Sequence, residues 1–290
     1  MERDRGFTLV ELIVVISITG ILAGVVATFI AGPVRAMMDT ARRAALADAA
    51  DTALRRISRD LHRALPNSIR VTQSGGIYYL EYLDVLTGGR YRRQSAGAAT
   101  SPTCPADDPA LSDNDLLDIG FADTCLKTLG HTPDLEQVTS QDYLVVYNLG
   151  EGIASSDAFQ YGAATGGNKS RITAVSSSGS EDRIAFESND FALGSPAARF
   201  QIVDGPVSYA CDPSSGTLTR YRGYAIQETQ PTSGLSTAQG ALLATGVSSC
   251  SISYQPGVTE RSSLVSIYLQ LSREGENVSL YHEIHVSNVP

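Results

Sequence analysis

The chain has no tryptophan, only three methionines, and four cysteines and four histidines in 290 residues. The missing Trp and scarce Met exclude nothing, but other shortages do. Lys and Arg number 22 against 31 Asp and Glu, a net charge of −9, which argues against nucleic acid because phosphate binding needs concentrated positive charge. None of Cys104, Cys125, Cys211 and Cys250 forms a Cys-x-x-Cys pair, so zinc-ribbon and thioredoxin-like readings lose support. No repeat of about 20–50 residues is present. The composition, 42% hydrophobic and 18% charged, is that of an ordered globular protein, with length for one large domain or two small ones.

Charge is also missing locally. From Leu12 to Gly32 the run LIVVISITGILAGVVATFIAG holds 21 uncharged residues. As a helix it rises about 31 Å, which matches a hydrocarbon core of about 30 Å. Apolar on every side, it reads as membrane-spanning rather than as a buried core helix. A cleaved secretory signal places its processing site after the apolar run. Here the candidate site, within MERDRGFTLVE, precedes it, so cleavage would leave the anchor attached.

These residues carry a resemblance. GFTLVELIVVI resembles the class III signal of type IV pilins and type II secretion pseudopilins, with Gly6, Phe7, Thr8, Leu9 and Glu11 at the family spacing. The resemblance implies that a prepilin peptidase cuts between Gly6 and Phe7 and that the new Phe7 amino group is N-methylated. Glu11 stands out on physical grounds alone. A carboxylate costs about 2.5–3.5 kcal/mol at the bilayer centre, less near a helix end, so it persists only with a partner or a use. The resemblance supplies one: neutralising the methylated amino group of Phe7 on its own or a neighbouring subunit, which sets register in a dry bundle.

Beyond Gly32-Pro33, where a bend is expected, apolar residues recur at helical spacing from Val34 through Leu46, Ala50, Ala53, Leu54, Ile57 and Leu61 to Leu65. The opposite face carries charges, among them Arg42, Arg43, Arg55, Arg56 and Asp60, and is read as solvated or filament-packing. Pro66-Asn67 end the segment. A helix from Phe7 to Leu65 would be about 88 Å long. Its stem, Val34–Arg63, carries +3 and the remainder, Ala64–Pro290, carries −11.

From Ser68 the period changes to two. Strands are predicted at Ser68–Thr72, Ile77–Val85, Arg90–Arg93, Tyr143–Asn148, Arg171–Val175, Arg183–Glu187, Arg199–Val203, Leu218–Tyr224, Val247–Tyr254, Leu264–Ser272 and Val278–Val286. The last two form a hairpin across Arg273–Asn277. Gln94–Gly120 and Gly150–Lys169 are long loops. An exported head favours two disulfides; of three connectivities, Cys104–Cys125 with Cys211–Cys250 closes the smallest loops, each worth about 3–4 kcal/mol.

Catalytic patterns do not emerge, and the chain is read as no enzyme. His282 and His285 are three apart on a strand and so face opposite ways. Gly162 to Ser170 imitates a phosphate loop, but Asn168 separates Gly167 from Lys169. No Gly-x-Ser-x-Gly elbow occurs. The stretch between Cys104 and Cys125 is rich in Asp; Asp113, Asp115 and Asp118 are the residues a calcium ion would take, but the spacing lacks the Gly and terminal Glu of the known calcium loop. A solvated acidic loop and no cofactor are expected.

The resemblance extends further. GPVRAMMDTARRAALADAADTALRRISRDLHRALPNSIRV, LTGGRYR, VDGPVSYACD and HVSNVP are similar to the minor pilin-like MshO family of the mannose-sensitive haemagglutinin (MSHA) pilus. The expected fold is α+β: a long N-terminal helix, half transmembrane and half amphipathic, packed on an antiparallel β-sheet head. The expected divisions are a leader at 1–6, a transmembrane assembly helix at 7–33, an amphipathic stem at 34–65 and a head at 66–290. The resemblance implies a low-copy subunit near the filament tip. It would sit in the inner membrane with its head in the periplasm and reach the cell surface after assembly. Its partners would be major and minor pilins, the prepilin peptidase, the inner-membrane assembly platform and, before assembly, lipid. A secretion pseudopilin and an adhesive tip module are the alternatives.

Overall fold

A computed structural model describes residues 7–93, 104, 116–235, 239–256 and 262–290. It contains one α-helix and, among the described residues, twelve strands. Helix α1 spans Leu9–Leu61, 53 residues, and stays helical through Pro33. It rises about 80 Å. It ends before the predicted Leu65 because its last turn tightens: Arg63 N–H donates to Asp60 O at 3.0 Å and Ala64 N–H to Leu61 O at 3.1 Å. Ala64 is then drawn into a β-bridge with Asp84.

The strands are β1 (Arg70–Ser74), β2 (Ile77–Arg90), β3 (Ala122–Lys127), β4 (Tyr143–Val146), β5 (Lys169–Ser178), β6 (Glu181–Asp190), β7 (Arg199–Asp212), β8 (Thr217–Arg222), β9 (Gln239–Thr245), β10 (Val247–Gln255), β11 (Ser263–Arg273) and β12 (Glu276–Val286). The 14-residue β2 and β7 pair along nearly their whole length and form the spine. The other edge of β7 is shared, with β4 pairing Phe200–Val203 and β8 pairing Ser208–Asp212. Gly205-Pro206 falls in the gap, where a residue without an N–H leaves no ladder bond unmade. One nine-stranded sheet thus branches into a β1-β2-β7-β8-β9 arm and a β4-β5-β6-β3 arm.

β10, β11 and β12 form a separate three-stranded antiparallel sheet. The turn between β11 and β12 is two residues, Glu274 (φ 51°) and Gly275 (φ 86°), with Arg273 opposite Glu276. Two positive φ values in a two-residue loop match the right-handed twist of the strands it joins. Gly246 (φ 74°) carries the chain from one sheet to the other, and a Cβ there would sit 2.7 Å from Ser272 O. Only glycine fits that crossing.

The main core lies where α1 meets this small sheet and the inner face of the first arm. Leu46, Ala50, Ala53, Leu54, Ile57 and Leu61 pack with residues such as Tyr82, Val207, Val265, Ile267, Leu269 and Ile284. Burial of this kind stabilises by about 1.5–3 kcal/mol per large side chain. The second arm encloses its own core around Leu126, Leu144, Ile172, Ile184, Phe186 and Phe200. The result is an α+β protein, one long helix packed on antiparallel sheets. Val34, Met37, Ala41 and Ala45, the start of the expected apolar stripe, remain exposed. Contact with the head begins with Arg42 and Arg43, which bind Glu274 and Glu276 at the β11–β12 turn.

One charged-face assignment needs correction. Asp60, read as solvated, is buried. It lies seven residues after Ala53 and three after Ile57, on the face that docks. The head satisfies it there: Tyr209 Oη donates to Oδ2 at 2.6 Å and Arg220 Nε donates to Oδ2 at 2.7 Å, while Arg56 pairs with Oδ1 at 3.1 Å.

Candidate functional site: the N-terminal helix

Thr8 is the N-cap of α1, in an extended conformation (φ −77°, ψ 149°). The Glu11 N–H donates to Thr8 Oγ1 at 3.3 Å, while Glu11 Oε2 accepts from the Thr8 N–H at 3.1 Å and from Thr8 Oγ1 at 3.0 Å. This is a capping box, which satisfies two otherwise orphaned backbone groups. It turns the carboxylate back toward the residue after Phe7. Its other oxygen, Oε1, has no partner among the described residues. Phe7 itself is 86% exposed.

After Glu11, α1 presents bare apolar surface on all sides. Leu12, Ile13, Val14, Val15, Ile16 and Phe29 are exposed, and Gly20, Gly24 and Gly32 have nothing near them. The polar side chains in this stretch are satisfied within the helix: Ser17 donates to Ile13 O, Thr19 to Val15 O and Thr28 to Val25 O, at 2.7–2.8 Å. The segment reaches a mean hydropathy of 2.6 over an 18-residue window, none of it buried by the head. It is long and apolar enough to cross a bilayer, and its uncharged surface can be covered only by lipid or other apolar chains.

Residues 1–27 match the model of the prokaryotic N-terminal methylation motif. The N-terminus is that of a type IV pilin-like prepilin. Among curated proteins and among solved structures none matches the chain. The prepilin motif and the apolar helix behind it fit membrane anchoring, processing by a prepilin peptidase and assembly with other pilins. Gly6, the residue before the expected cut, lies outside the described residues, as do Asp113 and Asp115.

The remaining candidate residues sit in the head. Cys104 is bridged to Cys125 and Cys211 to Cys250, with Cα–Cα distances of 5.6 and 6.6 Å. The second bridge ties the end of β7 to β10 and so staples the two sheets together. Near the first, the Asp118 N–H donates to Asp123 Oδ2 at 3.0 Å, and Asp123 Oδ1 accepts from the N–H groups of Thr124 and Cys125 at 2.6 and 3.0 Å. Burial pushes the Asp123 carboxyl up to about 7 against the pull of those three N–H groups. Its lone pairs are engaged in shaping a turn. No group of three His, Cys, Asp or Glu able to hold a metal occurs among the described residues.

In the phosphate-loop imitation, Lys169 points inward: Nζ donates to Ala158 O at 2.5 Å, and desolvation brings its pKa down to about 8, partly offset by Asp157. His282 and His285 alternate along β12 opposite Ile267 and Leu264, His282 half-buried and His285 exposed. The Asp60 cluster is the feature that motif reading missed. Its signal was present in the helical arithmetic, since a charged residue in register with the apolar stripe must find a buried partner.

Proposed function

We propose that this chain is a minor pilin-like subunit of a type IV pilus of the MSHA kind, cleaved between Gly6 and Phe7, N-methylated at Phe7 and assembled through α1. The observation that carries the reading is the bare apolar helix with a single carboxylate, Glu11, held by Thr8 beside Phe7. In a bundle of such helices the free Glu11 Oε1 accepts from the methylated amino group of Phe7 on a neighbour, and the apolar surface passes from lipid to protein. Similarity to MshO proteins along the stem, in LTGGRYR and in VDGPVSYACD supports the MSHA assignment. The size of the head, large for a bulk filament subunit, supports a low-copy position at or near the tip. The head faces the periplasm before assembly and the cell surface after it. The role is structural and non-enzymatic.

Mass spectrometry of protein extracted from membranes tests this. The expected mature chain begins at N-methylated Phe7; an intact Met1 in cells with an active prepilin peptidase overturns the reading. A deletion that blocks enzyme secretion and spares piliation would move the subunit to a secretion pseudopilus.

A further inference from the structure

On one side the nine-stranded sheet ends at β9, which pairs with β8 and with no other strand among the described residues. An open edge offers unpaired N–H and C=O groups to any extended chain, so native sheets blunt their edges with charge, proline or cover. The other edges here comply. β1 begins with Arg70, β3 carries Asp123 and Lys127, β12 carries Glu276 and Glu283, and β10 is stapled to β7 by Cys211–Cys250. β9, written QGALLAT, has neither charge nor proline. Leu243 is skipped in its pairing with β8, and Leu242 is left 59% exposed.

Between this margin of the sheet and the stem opens a groove of about 860 Å³. Ala41, Ala45 and Ala49 of α1 line one wall, Leu242 and Leu243 the other. The helical wall is about 12 Å long, the reach of about four strand residues. Toward the membrane anchor, the alanine row continues at four-residue spacing into Met37, with Met38 and Val34 beside it, and all three are exposed. The groove is therefore the upper end of the bare apolar surface of α1, the surface that fits assembly with other pilins. At the rim Glu274 is engaged by Arg42 at 2.8 Å, whereas Arg273 has no ion partner among the described residues.

These features select one occupant. An acyl chain or a neighbouring helix would cover the alanines but supply no hydrogen bonds to the β9 edge as water leaves, a cost that an added strand avoids. A second copy of this chain fails on symmetry. Antiparallel pairing of β9 with β9 places a twofold axis perpendicular to the sheet. That axis would also reverse α1, which lies on the face of the sheet, so the two stems could not share one membrane. We propose that the open edge of β9 and the groove beside it dock an extended segment of a different pilin-like subunit. The segment adds to the sheet as a strand, lays apolar side chains on Ala41, Ala45 and Ala49, and brings an acidic residue to Arg273. This rests on reading the chain as a pilin-like subunit, and it gives that subunit a contact outside the helix bundle.

The test places a photo-crosslinking amino acid at Thr245, an exposed residue lining the groove, in the full-length chain in cells that assemble filaments. Mass spectrometry of the crosslinked peptides is expected to show a segment of another prepilin-like subunit from outside that subunit's N-terminal helix. Leu242→Lys, which charges the edge, should reduce the crosslink about tenfold or more. Arg273→Glu should reduce it about tenfold by meeting an acid with an acid. Both side chains lie at the surface of the groove, so the unfolding midpoint should stay unchanged, and if one variant does not fold the other carries the test. A synthetic peptide of the crosslinked segment, added to the purified full-length chain, should slow amide exchange across Gln239–Thr245. Crosslinks only to a partner's N-terminal helix, to lipid or to a second copy, no crosslink at all, undiminished crosslinking by the folded variants, or unchanged exchange overturns the proposal. A mature chain that begins at Phe7 and enters filaments without these crosslinks sinks the docking site alone, whereas an intact Met1 sinks the prepilin reading.

Discussion

Arg220 and Asp60 stand 160 residues apart in sequence and share a hydrogen bond, Nε to Oδ2 at 2.7 Å, across the junction of stem and head. Both side chains are about nine-tenths buried. Burial pushes the Asp60 carboxyl up, but the bonds from Tyr209 and Arg220 outweigh it and hold the carboxyl below its ordinary range. The pair fixes the rotation of α1 about its own axis, which apolar contacts alone specify weakly.

Removing one partner should therefore cost more than removing a surface ion pair. Asp60→Ala takes from the buried Arg220 the carboxylate it is hydrogen-bonded to and should destabilise the head by about 3–5 kcal/mol. Asp51→Ala, which breaks only the exposed Arg55–Asp51 pair, should cost less than about 1 kcal/mol. Denaturant unfolding of the full-length protein in detergent distinguishes the two, and equal effects would contradict this role for Asp60.

The Cys211–Cys250 bridge crosses between the sheets that Gly246 separates. On the loop-entropy model its loss, in Cys211→Ser with Cys250→Ser, should lower stability by about 3–4 kcal/mol. The prediction is checked by comparing unfolding of the double variant with that of the oxidised wild type, and a midpoint unchanged by the substitution would refute it.

Sequence periodicity reached much of this architecture, and the elements it missed share physical causes. The long helix, the β11–β12 hairpin and most strands are visible because apolar spacing and turn residues agree. β9, Gln239–Thr245, is written with Ala and Leu rather than β-branched residues, so period and propensity conflict. The second half of β7 was hidden by Gly205-Pro206, which reads as a turn but sits in the gap between two partners of one strand. β3 follows an acidic stretch and takes its place from its pairing with β6, a tertiary fact with no local mark. At the candidate site, the N-terminal methylation motif was legible from residue spacing, whereas the partners of Asp60 were not: Tyr209 and Arg220 lie on β7 and β8 and meet it only in the folded head.

Asp84 offers a pH test. Burial raises its pKa to about 6, against the attraction of Arg63 and Arg220 and with repulsion from Asp60 and Asp204. A carboxyl whose folded pKa exceeds its unfolded value favours the folded state when protonated. Its contribution is present in full below about 4 and disappears as pH rises through about 6, whereas the contribution of Asp60 runs the other way and is lost at lower pH. Asp84→Asn should accordingly stabilise the head at neutral pH by an amount that fades between about pH 6 and pH 4. Stability measured against pH for both proteins checks this, and parallel curves would refute it.

Glu11 is expected to behave oppositely to Asp60. It touches only Thr8, at the far end of a helix whose first head-contacting residues are Arg42 and Arg43. Glu11→Ala should leave the unfolding midpoint of the head unchanged, because the lost capping box frays one exposed turn worth about 1 kcal/mol locally. Incorporation into filaments should fall sharply, since a neighbour's amino group entering the dry bundle would find no counter-charge, and an unpaired ion there costs several kcal/mol. Glu11→Gln separates charge from shape: it keeps an acceptor for the Thr8 N–H but cannot neutralise an ammonium, so it should assemble as poorly as Ala. Filament fractions immunoblotted for the subunit, alongside membrane fractions to confirm insertion, give the readout. Normal incorporation of Glu11→Gln would mean that the carboxylate serves the cap alone.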